Sequence, residues 1–323
     1  MIRRREFIAG LGGVAAWPLA ARAQPAKVPV IGVLYAGSAY QSPPMLHEGL
    51  RQAGYIEGRN VAIENQWADG QYDRLPALAA ELVRRKVSVI YAWGVPSSVA
   101  AKMATTAIPI VFRIGADPVE LGLVASLNHP GSNVTGVTSL AGESNVKRLE
   151  LITETVPAAK VVAAFVNPSE QNSSNLARNL HKAASGLGIE LHVLPISTEA
   201  DFDSAFKIMR ERGVGALVIS PDSVLDAGLA ETAARLLRDH VPAISWNRQF
   251  VLAGGLISYA PDELEMARVV GDYIGRILKG DKPGDLPVHQ AAKFILTINL
   301  KTAKSLGLDV PTAILLRANE VIE

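Results

Sequence analysis

The chain has 323 residues, 49% of them hydrophobic and 20% charged, with 32 basic and 31 acidic side chains and no cysteine. So even a balance gives no electrostatic pull toward nucleic acid or an anionic membrane surface, and argues against both as partners. The length suits two domains of roughly 150 residues each, and cores of that size need no disulfides even in an oxidising compartment.

The first element is not part of the fold. Arg3-Arg4-Arg5-Glu6-Phe7-Ile8 is a basic stretch, followed by a mild apolar run from Ala9 to Leu19 and by Ala21-Arg22-Ala23 just before Gln24-Pro25. This order of basic, apolar and small-residue segments predicts an export signal over residues 1–24, cleaved near Ala23. The apolar run is far shorter than the ~20 residues that span a bilayer. Arg4-Arg5-x-Phe7-Ile8 also resembles the twin-arginine export motif, and Gly10, Gly12 and Gly13 dilute the apolar run as that route expects. The signal holds four arginines and one glutamate, so the rest carries 28 basic and 30 acidic residues, a net charge of −2. With no cysteine to carry a lipid, the processed chain is expected free in a periplasm, with no direct membrane insertion.

Beyond the signal, short β-branched runs alternate with segments of helical period, the pattern of βα units on parallel sheets. Strands are predicted at Val28–Tyr35, Val61–Trp67, Val87–Ala92, Ile108–Phe112 and Val134–Thr138, with helices near 45–53, 75–85 and 97–105 between them. The rhythm then restarts. Strands are predicted at Val161–Val166, Glu190–Pro195, Ala216–Ser220, Pro242–Trp246, Gly255–Tyr259 and Phe294–Ile298. Helices fall at 147–155, 175–185, 202–212, 225–239, 262–279 and 300–306. The fold class is therefore α/β, with two doubly wound parallel-sheet lobes. The boundaries are 25–140 plus 262–285 for one lobe and 141–261 plus 286–323 for the other. Short crossings at about 139–145, 259–262 and 285–292 suit a multi-strand hinge better than a flexible tether.

Open parallel sheets bind ligands beyond the carboxyl ends of their strands. Those positions carry Ser38 and Tyr40, Trp67, Trp93, and Arg113 with Asp117 in the first half. In the second they carry Asn167 and Asn172, Asp222, Trp246 with Arg248, and Tyr259. All three tryptophans beyond the signal fall there, which predicts an aromatic-walled cleft. Each is also a natural packing residue. Arg113 and Arg248 each follow a buried strand, one in each half, and an arginine so placed makes the two-pronged contact a carboxylate needs. Asp117 or Asp222 is then the counter-charge for an amino group, with Tyr40, Trp67 or Tyr259 over the apolar body. Ser97, Asn172 and Asp262 precede helices and read equally as caps.

Catalytic and cofactor templates fit badly. The six histidines have no metal-ligand spacing, so no metal site is expected. There is no nucleophile elbow and no phosphate-binding loop. Ser144 through Lys147 matches S-x-x-K, but the companion motifs of that acylase class are missing. No cofactor and no catalytic residue is predicted.

Several segments, in this order, carry a resemblance to a known family. They are Gly54-Tyr55-Ile56-Glu57-Gly58-Arg59-Asn60-Val61, Ile108-Pro109-Ile110-Val111-Phe112, and Asp117-Pro118-Val119 through Gly122-Leu123-Val124. Pro130-Gly131-Ser132-Asn133-Val134-Thr135-Gly136-Val137, Ile277-Leu278-Lys279-Gly280 and Ile298-Asn299-Leu300-Lys301-Thr302-Ala303 follow. Over nearly the whole processed chain the sequence resembles the substrate-binding components of ABC transporters, in the family that includes tryptophan- and tyrosine-binding proteins. The resemblance implies a type I periplasmic-binding fold that holds a small-molecule solute between hinged lobes. It also implies an inner-membrane permease with its ATPase as partners. Asp117, Asn167, Asn172, Asp222 and Tyr259 match cleft positions of the family, whereas Arg113 and Trp246-Asn247-Arg248 are not general features of it. A two-domain enzyme and a sensory receptor uncoupled from transport are the alternatives. Turnover of a ligand, or the neighbouring genes, separates them from a transport receptor.

Overall fold

In a computed structural model, residues 28–38, 45–139 and 141–323 are described; the predicted signal and Tyr40 lie outside them. The first lobe opens with β1 (Val30–Tyr35), α1 (Leu46–Gln52), β2 (Ala62–Trp67), α2 (Leu75–Arg84) and β3 (Val89–Trp93). It continues with α3 (Val95–Ala104), β4 (Ile110–Ile114) and β5 (Val134–Thr138). Then α4 (Ala141–Thr155) leads into the second lobe: β6 (Val161–Val166), α5 (Ser173–Leu187), β7 (Glu190–Pro195), α6 (Asp201–Glu211), β8 (Ala216–Ile219), α7 (Ser223–Ala227), α8 (Leu229–Arg238), β9 (Ala243–Ser245), α9 (Arg248–Leu252) and β10 (Ile257–Pro261). The chain returns through α10 (Glu263–Leu278) and β11 (His289–Gln290). It ends with β12 (Phe294–Asn299), α11 (Leu300–Ser305), α12 (Thr312–Leu315) and β13 (Glu320–Ile322).

Strands of the first sheet run in the order β11-β5-β4-β3-β1-β2, and those of the second β13-β12-β10-β9-β8-β6-β7. All pairings are parallel except β10 with β12. Period-two alternation decides which side chain faces which helix layer. Ile31, Val33, Val89, Tyr91 and Val111 pack with Met266, Val270 and Ile274 of α10, while Leu34, Ile90, Ile110 and Phe112 pack with Leu75, Ala79 and Leu82 of α2. In the second lobe Val162, Ala164, Ala216 and Val218 face Leu149 and Ile152 of α4; Ala163, Phe165, Leu217 and Ile219 face Phe202 and Phe206 of α6.

The predicted elements differ from the structure mainly at boundaries and at the chain end. The segment 225–239 breaks at Gly228, which ends α7 and begins α8. The third crossing lies between Gln290 and Phe294, because β11 pairs with β5 and Leu286 is buried in the first lobe. Residues 286–290 therefore pack with the first lobe, not the second, and β11 joins its sheet. Helix α9 and the short strands β11 and β13 carry too little periodicity to be read from sequence.

Helices α1 and α10 meet backbone to backbone. A Cβ added at Gly49 would lie 2.0 Å from Ala267 O, and one at Gly271 2.2 Å from the Gly49 carbonyl. Among the described residues, no helix is long and apolar enough to cross a membrane.

Candidate functional site

Register places one row of side chains across the carboxyl edge of the first sheet. Tyr35 is the partner of both Trp67 and Trp93, and Trp93 is the partner of Arg113, so the row reads Trp67, Tyr35, Trp93, Arg113. Tyr35 and Trp93 stack at 4.3 Å and 14°, and Trp67 meets Tyr35 edge-on at 6.1 Å. The Arg113 guanidinium lies 5.2 Å from the Trp93 ring centre. Because β1 and β4 flank β3, both faces of Trp93 are covered and only its edge remains for a solute.

Tyr35, Trp93 and Arg113 of that row form one wall of a cleft between the lobes, about 1110 Å³ counted out to its mouth. Gly94, at φ 90, turns the chain from β3 into α3 and brings Val95 and Pro96 to the same wall. The second lobe contributes Asn145, Arg148, Asn167, Glu170, Asn172, Asp222, Asp226 and Trp246.

Six of the sequence-predicted residues line this cleft: Trp93, Arg113, Asn167, Asn172, Asp222 and Trp246. Ser38, Trp67, Asp117, Arg248 and Tyr259 do not. Trp67 packs sideways into the first-lobe core and reaches the cleft only through Tyr35. Asp117 accepts the backbone N–H groups of Val119 and Glu120, which fixes its own turn. Tyr259 stacks on Phe294 at 5.2 Å.

The expected arginine clamp takes a different form. Arg248 opens α9, capped by Asn247, and its guanidinium pairs with Glu320 of the edge strand β13, with Nε to Oε2 at 2.7 Å. It does not line the cleft. Arg113 is buried in the wall but donates to Glu263 Oε1 at 2.5 Å, a partner that α10 delivers, so its charge is already met.

Arg148, which sequence reading passed over, lines the cleft and is 1% exposed. Its Nε donates to Tyr259 O at 2.8 Å and its Nη1 to Asn145 Oδ1 at 2.5 Å. No carboxylate among the described residues pairs with it, and Nη2 donates to none of them. Burial without a counter-charge pulls its pKa down to about 9. The signal for it was legible: Arg148 shares a helix face with Ile152 and Thr155, and arginine is rarely buried unpaired.

Three carboxyls face the same space. Asp222 caps α7, accepting from Val224 N at 2.8 Å and Leu225 N at 3.3 Å, and also accepts from Asn167 Nδ2. Burial raises its pKa against these donors. Asp226 accepts from Trp246 Nε1 at 3.0 Å, and burial pushes it up to about 8. Glu170 accepts from Asn172 N at 3.2 Å, and burial pushes it up to about 7. Ser220 Oγ is buried in this wall with no hydrogen-bond partner among the described residues. Among the described residues, no group of three or more His, Asp or Glu is arranged to hold a metal. The geometry suits recognition of a small molecule with separated charges and an apolar body.

Known proteins resemble this chain over most of its length. The family described as ABC transporter substrate binding protein matches residues 27–322. A tyrosine-binding protein of Clostridioides difficile (strain R20291) is 30% identical over 261 residues, covering 81% of this chain and 75% of the relative. A crystal structure of an ABC domain in complex with L-Trp from Streptococcus pneumonia superposes with a TM-score of 0.81 at 25% identity, covering 91% of this chain and 99% of the other. The ligand-free, open structure of a substrate-binding protein with adhesive properties from Clostridium difficile gives 0.64 at 24% identity, with the same coverage.

Proposed function

Because the chain belongs to the ABC transporter substrate-binding protein family, we propose that it is the exported receptor of an importer, capturing a small carboxylate-bearing solute for an inner-membrane permease and its ATPase. It is a binding protein and not an enzyme. The observation that carries the solute class is Arg148, a buried guanidinium on the cleft wall whose charge no carboxylate among the described residues meets. A carboxylate docked there supplies the missing counter-charge through a planar, charge-assisted contact. The opposing carboxyls Asp222, Asp226 and Glu170 suit a positively charged group at the solute's other end, as an amino acid has. Trp246, Tyr72 and the edge of Trp93 suit an aromatic or other apolar body. Closure lets the solute touch both lobes at once, so binding energy shifts the population toward the closed form.

A thermal-shift screen of amino acids, aromatic acids and short organic acids tests the reading, since a ligand raises apparent stability by mass action. The stabilising acid is expected to change tryptophan fluorescence. Trp246→Ala should weaken its binding by roughly 1–3 kcal/mol, the scale of burying a large apolar side chain. Trp67→Ala should leave binding as in the parent. Equal losses in both variants would show that the solute does not sit in this cleft.

Export follows from residues 1–24. Arg4→Lys combined with Arg5→Lys is expected to leave uncleaved precursor in the cytoplasm. Normal periplasmic yield of that double variant rules out the twin-arginine route.

A further inference from the structure

The cleft is bridged by the protein's own side chains at one point. Beyond β2, Asp69 and Gly70 both take positive φ, 53° and 80°, and reverse the chain. Arg74 braces that turn, donating from Nη1 to Ala68 O at 3.2 Å and to Asp69 Oδ2 at 3.0 Å. The turn aims Tyr72, of the first lobe, at the start of α7 in the second. Its phenol donates to Asp222 Oδ2 at 2.5 Å, lies 3.2 Å from Ser223 Oγ, and accepts from Asn167 Nδ2 at 3.4 Å. A Cβ added at Gly70 would lie 3.7 Å from Val224 Cγ2, so the turn itself rests against α7.

We propose that Tyr72 is an interlobe latch: its hydrogen bond to the Asp222 carboxylate holds the closed arrangement directly, whichever solute fills the cleft. Asp222 is fixed for this task. Two backbone N–H groups of α7 and the Asn167 amide hold its carboxylate rigid, so the bond is made without ordering a free side chain. The phenol is half-buried, where a hydrogen bond to a charged acceptor is worth more than in water. A receptor latched this way spends less binding energy on closing, because the binding-competent form is already populated. Tyr72 is thus a positioning residue for capture, distinct from the groups that meet the solute's charges.

Tyr72→Phe keeps the ring and removes the hydroxyl. It is expected to lower the closed-to-open ratio at least tenfold, as the loss of one charge-assisted hydrogen bond implies, at about 1.4 kcal/mol per tenfold. The chain lacks cysteine, so spin labels at Met103→Cys and Leu316→Cys, both 82% exposed and on different lobes, report the interlobe distance cleanly. Measured on the solute-free protein, the parent should show a dominant short-distance population. Tyr72→Phe should shift it to longer distance and raise the radius of gyration by small-angle scattering, with an unchanged circular dichroism spectrum. Asp222→Asn keeps a capping oxygen for α7 and should shift the distances the same way. Identical distance distributions in parent and both variants would overturn the latch, as would a parent that is already open. Neither result bears on which solute Arg148 receives.

Discussion

Arg148→Met is expected to abolish solute binding while leaving the folded protein about as stable as the parent. The two effects separate because Arg148 is expensive where it sits. A guanidinium desolvated without a counter-charge costs folding free energy, and replacing such a group with an apolar one of similar volume is often neutral or stabilising. The hydrogen bonds lost to Tyr259 O and Asn145 Oδ1 offset part of that gain. For binding there is no offset, since a solute carboxylate would enter a buried site with nothing to meet its charge. A hydrogen bond to a charged group contributes about 1.5–3 kcal/mol, so two lost together weaken binding on the order of 100-fold or more. Calorimetric titration of the acid and its methyl ester into parent and variant checks this. The parent should prefer the acid strongly and Arg148→Met should treat the two alike. Arg148→Lys should keep only part of the preference, because an ammonium does not reproduce the planar fork. A parent that binds acid and ester equally would sink the carboxylate reading.

Gly271→Ala should destabilise the protein by about 3 kcal/mol, the upper end of the usual overpacking cost. An exposed helical glycine normally gains up to ~1 kcal/mol on becoming alanine, so the sign is the test. At Gly271 the new methyl would lie 2.2 Å from the carbonyl of Gly49, backbone that cannot rotate away. The crossing of α1 and α10 must open. At Gly186 in α5, by contrast, nothing lies within 4 Å of an added Cβ. Urea midpoints should therefore move in opposite directions, down for Gly271→Ala and slightly up for Gly186→Ala. Shifts of the same sign would contradict the close crossing. Because α10 also carries Glu263 to Arg113, a displaced α10 should loosen the cleft wall as well.

How much of this was legible depended on range. The alternation that makes Ile31 and Val33 face α10 while Leu34 faces α2 is a period of two residues, visible in any window of the chain. So is the parallel pattern, and with it the rule that strand ends carry the site. That rule pointed to Trp93, Arg113, Asn167, Asn172, Asp222 and Trp246, all of which line the cleft, and the family resemblance pointed to Asn167, Asn172 and Asp222 as well. Tyr72 was missed because the reading of the loop after β2 stopped at Gly70, two residues short. Arg148 was missed because it sits about two helical turns inside α4, away from any strand end.

The sequence by itself determined the α/β class, the two-lobe division and which edge of each sheet holds the cleft. These follow from periodicities and glycine stops that span only a few residues. Only the tertiary structure decided which charges are free. Arg113 looked available until Glu263 arrived from 150 residues away, and Arg248 until Glu320 arrived from 72. Tyr72 meets Asp222 across 150 residues, and Arg148, held by Tyr259 O and Asn145 Oδ1, is left without a counter-charge among the described residues. A charge's role depends on the partners that folding brings within a few ångströms, and Coulomb's law takes no account of distance along the chain.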